Sequence, residues 1–128
     1  MFKEFLLVGC GSFFGGGLRF MVSRLMQTSM FAVYPWGTFT VNVLGCLILG
    51  FLTGLPAAGG WFSPQTRLLL TTGFCGGFTT FSTFMNESHA LFREDRFTIV
   101  ALYVMASLLV GFLAVMAGHY AGRMMMRG

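Results

Sequence analysis

The sequence predicts an all-α protein that crosses a membrane four times per chain, with the third helix broken near its middle. Three observations carry that expectation. The 128 residues are 55% hydrophobic and only 9% charged, where a soluble domain carries about 25% charged residues. The apolar residues gather into four stretches, each near the ~20 residues that a bilayer-crossing helix needs. The three prolines, Pro35, Pro56 and Pro64, all lie between those stretches, where a missing N–H does least harm. Helices are the default because every backbone polar group must find its partner inside the segment. Residues 1–128 are therefore read as one four-helix transmembrane domain, with no room for a separate soluble one.

The first span runs over about 5–26 and carries Arg19 and Arg24. Lys3 followed by "FLLVG" imitates a signal peptide, but no small-residue cleavage site follows and the apolar segment continues past Arg19, so it is kept as a mature helix. The second span, about 36–55, is "WGTFTVNVLGCLILGFLTGL", without a charge and bracketed by Pro35 and Pro56. The third covers about 67–87, preceded by Pro64. The fourth covers about 97–122 and is uncharged throughout.

Basic residues give no clear orientation. With both termini on one side, that side holds Lys3, Arg67, Arg123 and Arg127, and the other holds Arg24, Arg93, Arg96 and, if it snorkels, Arg19. Such a near tie fits weak topogenic signals. It also fits dual topology, in which copies insert both ways up and opposite copies pair. Close helix packing is expected from small-xxx-small pairs in every span: Gly11 and Gly15, Gly50 and Gly54, Gly73 and Gly77, Gly118 and Gly122.

Several motif readings fail. "GCGSFFGGG" has the wrong spacing and no βαβ context for a dinucleotide loop. Cys10, Cys46 and Cys75 form no C-x-x-C and read as small packing residues, while His89 and His119 read as interfacial. No nucleophile, base and orienter can converge, so no enzymatic activity is expected.

What remains is a set of intramembrane polar groups with no carboxylate deep in a span. A proton-coupled exporter of this size needs such an acid, and cation channels often ring their pores with acids or carbonyls. Here the deep groups are Asn42, Thr79, Thr80, Ser82, Thr83, Tyr103 and Ser107, all hydrogen-bond donors. Donors without acids suit an anion, and a net charge of +4 points the same way. Phe81 and Phe84 are three apart, which places them on one helix face. Their positive ring edges could replace part of an anion's hydration, although phenylalanine is also common membrane filler.

"GTFTVNVLGCLILG" (37–50) and "GFCGGFTTFSTF" (73–84), with "GGGLRF" (15–20) upstream, resemble the Fluc (CrcB) fluoride channel family, and the likeness covers essentially the whole chain. It implies a fluoride-selective channel that expels toxic fluoride passively through the cytoplasmic (inner) membrane of a microbe. It further implies an antiparallel, dual-topology homodimer with two pores. The resemblance makes Asn42 the pore asparagine and Phe81 and Phe84 the rings lining the fluoride path. Thr80, Ser82 and Thr83 become polar pore or packing groups, and Tyr103 and Ser107 the polar track of span four. Arg19 and Glu87 match the family's arginine and span-three acid, as vestibule or structural charges. Cys46 stands where a serine is usual and Met85 where a small polar residue is usual.

"GGFTT" reads as the break in span three, because Gly76 and Gly77 disfavour helix and threonines offer the backbone other partners. Freed carbonyls at such a break can hold a cation. The resemblance implies a structural sodium, with the carbonyls of Gly76 and Thr79 as its ligands in each of two copies meeting on a two-fold axis. No nucleic-acid partner is expected. A small dual-topology multidrug transporter and a non-transporting packing protein are the alternatives. The absent mid-span acid disfavours the first, and the clustered donors disfavour the second.

Overall fold

The computed structural model describes residues 1–29, 33–55 and 63–125, and these are helical with no strand among them. Pro56 and Arg127 lie outside the described residues. Helix α1 spans Phe2–Ser29, α2 spans Trp36–Gly54 and α6 spans Phe97–Met125. These three are long and apolar enough to cross a membrane. The third span is composite. Helix α3 (Pro64–Leu68) leads into a wide π-helical stretch, Leu69–Cys75, and then the short α4 (Gly76–Phe78). After a break, α5 (Ser82–Arg93) continues it. The helical path of this region thus runs from Pro64 to Arg93, past both ends of the expected span.

Local chemistry explains the ends. Ser63 caps α3 by accepting the Thr66 N–H at 3.2 Å, and Pro64 occupies the first turn, where its missing N–H is no loss. The chain leaves α5 through Asp95, whose φ of 60° is left-handed. A short polar side chain tolerates that conformation better than most. The Arg96 N–H then closes the end onto the Leu91 carbonyl at 3.0 Å. Arg67 donates to the Leu55 carbonyl at 2.8 Å and the Leu52 carbonyl at 3.4 Å. Span three thereby ties off the orphan carbonyls at the end of α2.

The expected small-residue pairs are the packing seams. In α6, a Cβ on Gly118 would strike the Leu47 carbonyl, and one on Gly122 the Phe51 carbonyl. In α2, Gly50 and Gly54 face the backbones of Val115 and His119 in return. Helices α2 and α6 therefore touch backbone to backbone. Likewise Gly11 and Gly15 of α1 admit the backbone of residues 69–78. Large apolar side chains point outward instead, among them Phe13 and Phe14 on α1 and Leu109 and Phe112 on α6. That arrangement suits lipid, which solvates such side chains as well as a protein core does.

The break lies within the expected 76–80 stretch, but not at its glycines. Gly76 remains helical, with φ −62° and ψ −37°, and α4 contains both glycines. The chain departs at Thr79, whose φ is −85° and ψ 161°. The glycines serve close approach: a Cβ on Gly77 would lie 2.8 Å from Ser12 Cα. What opens the helix is a side chain from α2.

Candidate functional site

That side chain is Asn42. Its Oδ1 accepts the Thr80 N–H at 2.8 Å, and its Nδ2 donates to the Thr80 carbonyl at 3.0 Å. In a continuous helix the Thr80 N–H would go to the carbonyl four residues back, that of Gly76. One amide side chain thus holds both backbone polar groups of a single residue, Thr80, out of helical register. Around it the break is satisfied locally. The Thr79 N–H and hydroxyl both donate to the Cys75 carbonyl, at 3.0 and 2.9 Å. The Thr83 N–H donates to Thr80 Oγ1 at 3.3 Å rather than to the Thr79 carbonyl. Arg19 Nε reaches across from α1 to the Gly77 carbonyl at 3.3 Å.

The break forms one wall of a cavity of about 610 Å³. Of the expected site residues, Asn42, Gly76, Thr79, Thr80, Phe81, Phe84 and Ser107 line it, together with Cys46. Thr53, Thr71 and Thr72 also line it; sequence reading passed over them, although they are further hydroxyls within or beside the same spans. Among the described residues, the walls carry no ionisable acid or base apart from thiols. Ser107 Oγ is buried and has no hydrogen-bond partner. A buried hydroxyl without a partner is uncommon and costly, and Ser107 is one of the residues lining this cavity.

The two phenylalanines are edge-on to one another, with ring centroids 6.2 Å apart. They do not share one environment, as a single helical face would give. Phe81 precedes α5 and is 71% exposed, whereas Phe84 is 5% exposed. Phe84 meets the Tyr103 ring edge to face at 4.9 Å. Tyr103 is fully buried and donates its hydroxyl to Glu87 Oε1 at 2.9 Å. Tyr34, in the segment before α2, completes the aromatic cluster 5.4 Å from Tyr103, and burial raises its phenol above the ordinary value. Glu87 also lines a second, smaller cavity of about 190 Å³ with Gln27 and Pro35. Phe84 therefore joins two places: the donor-lined cavity at the break and the Tyr103–Glu87 pair beyond it.

Four expected residues line neither cavity: Tyr103, which packs on Phe84 instead, and Ser82, Thr83 and Arg19. Ser82 is exposed and Thr83 half-buried at the start of α5, and neither lines the large cavity. Arg19 is tied to the Gly77 carbonyl rather than to the cavity. Met85 is 39% exposed. The three cysteines are free thiols, and His119 Nδ1 makes a long contact, 3.4 Å, with the Thr53 hydroxyl.

Residues 6–119 match the family described as CrcB-like protein, Camphor Resistance (CrcB). Proteins named fluoride-specific ion channel FluC are close in sequence. That of Chlorobium chlorochromatii is 45% identical over 120 residues, covering 94% of this chain and 92% of the relative. That of Azobacteroides pseudotrichonymphae is 40% identical, covering 93% and 95%. That of Methylobacillus flagellatus is 41% identical, covering 97% and 98%.

Proposed function

The chain belongs to the CrcB family, and from that premise we infer a fluoride-specific channel that lets fluoride cross the membrane down its gradient. It is a multi-pass membrane protein and not an enzyme. The observation that carries the reading is the cavity at the break, walled by hydroxyls, one amide and ring edges, with an unpartnered Ser107 hydroxyl among them. Fluoride holds its water strongly, so a pathway must offer donors in exchange. Ser107 offers an O–H, Asn42 its one remaining N–H, and Phe81 and Phe84 their positive edges. No cation in the wall holds the ion too tightly to leave, a condition of conduction. Thr80 supports the path through its contacts to Asn42 and Thr83. Glu87, engaged by Tyr103, marks the vestibule beyond Phe84.

A structural sodium fits the break. Donors that a continuous helix would give to the Gly76 and Thr79 carbonyls go instead to Asn42 Oδ1 and Thr80 Oγ1. Both carbonyls belong to residues lining the cavity, and backbone oxygens suit a hard cation. Bound there, sodium would supply a fixed positive charge joining two breaks. An antiparallel homodimer in the cytoplasmic membrane is the assembly this requires, because one chain offers two such oxygens. Gly76 is open on that side, with nothing within 4 Å of a Cβ placed on it, which leaves room for a second copy.

Expression in a bacterium lacking its own fluoride exporter tests the function. Cells carrying the chain should grow in fluoride that arrests the parent strain and should hold less fluoride inside. Equal intracellular fluoride with and without the membrane-inserted chain would reject the reading.

A further inference from the structure

We infer that Asn42 is a positioning residue for the sodium site as well as a lining residue of the fluoride path, so that one amide couples the two. The inference rests on the sodium reading given above. Its basis is the exchange of partners around Thr80. A helical Thr80 N–H would occupy the Gly76 carbonyl; here it lies 2.8 Å from Asn42 Oδ1. The same amide anchors the Thr80 carbonyl at 3.0 Å, so the two peptides flanking Thr80 cannot rotate back into helix while both bonds hold. Neighbouring groups are committed elsewhere: the Cys75 carbonyl to Thr79 and the Gly77 carbonyl to Arg19. Removing the Asn42 amide leaves the Thr80 N–H short of an acceptor at membrane depth, where an unmet donor is costly. Its nearest remedy along the chain is the Gly76 carbonyl. The helix then extends by a residue and consumes an oxygen that sodium needs, in both copies at once.

The bidentate contact also fixes which way the amide points. With Oδ1 on an N–H and Nδ2 on a carbonyl, flipping would set like groups against each other at both ends. Asn42 therefore presents a single N–H to the cavity, in one orientation, rather than the two that its side chain carries.

Sodium binding to purified dimer, measured with radioactive sodium in detergent, tests this without relying on conduction. The parent should bind sodium. Asn42→Ala should weaken binding by about tenfold or more, the scale of one lost buried hydrogen bond. Asn42→Asp, kept protonated by burial at membrane depth, keeps an acceptor for the Thr80 N–H and an O–H for the Thr80 carbonyl but no donor for fluoride, and should hold sodium within about threefold of the parent. Its fluoride flux in liposomes should nevertheless fall at least tenfold. Ser107→Ala, in the same cavity but with no hydrogen bond to Thr80, should lower flux and leave sodium binding alone. Should Asn42→Ala not fold, the split in Asn42→Asp decides. Sodium retained with flux lost supports the coupling, and sodium lost with flux overturns it. Parent-like sodium binding in Asn42→Ala overturns the coupling but leaves the sodium reading standing. A parent that binds no sodium rejects both.

Discussion

Phe81 and Phe84 sit three residues apart yet meet different surroundings, and the difference makes them separable by mutation. Phe84 packs edge to face on Tyr103 and is nearly buried. Such pairs contribute about 0.5–1.5 kcal/mol beyond area burial. Phe84→Ile should therefore lose stability as well as fluoride flux. Phe81 is largely exposed on its own chain, so Phe81→Ile should leave the melting temperature of the folded protein nearly unchanged. If its ring edge serves the ion, flux in liposomes should still fall at least about tenfold, equivalent to about 1.4 kcal/mol. Parent-like flux in both variants would remove the ring edges from the mechanism while leaving the channel assignment intact. The residue types at this site were legible in the sequence, because hydroxyls and an amide in a lipid-soluble stretch need partners. Their partners were not. The bonds between Asn42 and Thr80 join residues 38 apart in the chain, and no local pattern encodes that pairing.

At the scale of elements, the small-residue pairs were legible and the break was legible only in part. A small-xxx-small pair states its purpose locally: it places two small residues on one helix face, and a neighbour can approach. The contacts of Gly50, Gly54, Gly118 and Gly122 bear this out. Gly118→Leu should accordingly force α2 and α6 apart. Overpacking of a tight seam costs about 1–3 kcal/mol, and the variant should show a lowered thermal midpoint and a smaller yield of folded protein. Gly76 and Gly77, by contrast, carry an ambiguous signal, since glycine serves both helix breaks and close approach. Here close approach to Ser12 governs Gly77, and the break falls at Thr79, where α2 supplies the competing hydrogen bonds. The π-helical turn at Leu69–Cys75 left no recognisable mark on the sequence. It widens the helix where the glycines of α1 press against it, and such insertions recur at functional sites.

The whole molecule follows from a short chain that encloses little. Its cavity is not enclosed by the chain, its outward side chains are largely apolar, and its sequence divides the basic residues nearly evenly between the two sides of the expected spans. The proposed antiparallel pair of identical chains would account for all three features. Crosslinking through single cysteines placed near the N-terminus and in the turn between α5 and α6 should trap pairs with opposed termini. Only parallel pairs would contradict the arrangement. The central claim, however, is passive and selective conduction of fluoride, and it is tested most directly by efflux from liposomes holding the purified protein. The vesicles are loaded with potassium fluoride or potassium chloride, and valinomycin carries the counter-charge. The account predicts rapid fluoride release that starts only when valinomycin is added, needs no proton gradient, and has no chloride counterpart. Fluoride retention equal to protein-free vesicles, or release that requires an imposed proton gradient, would contradict it.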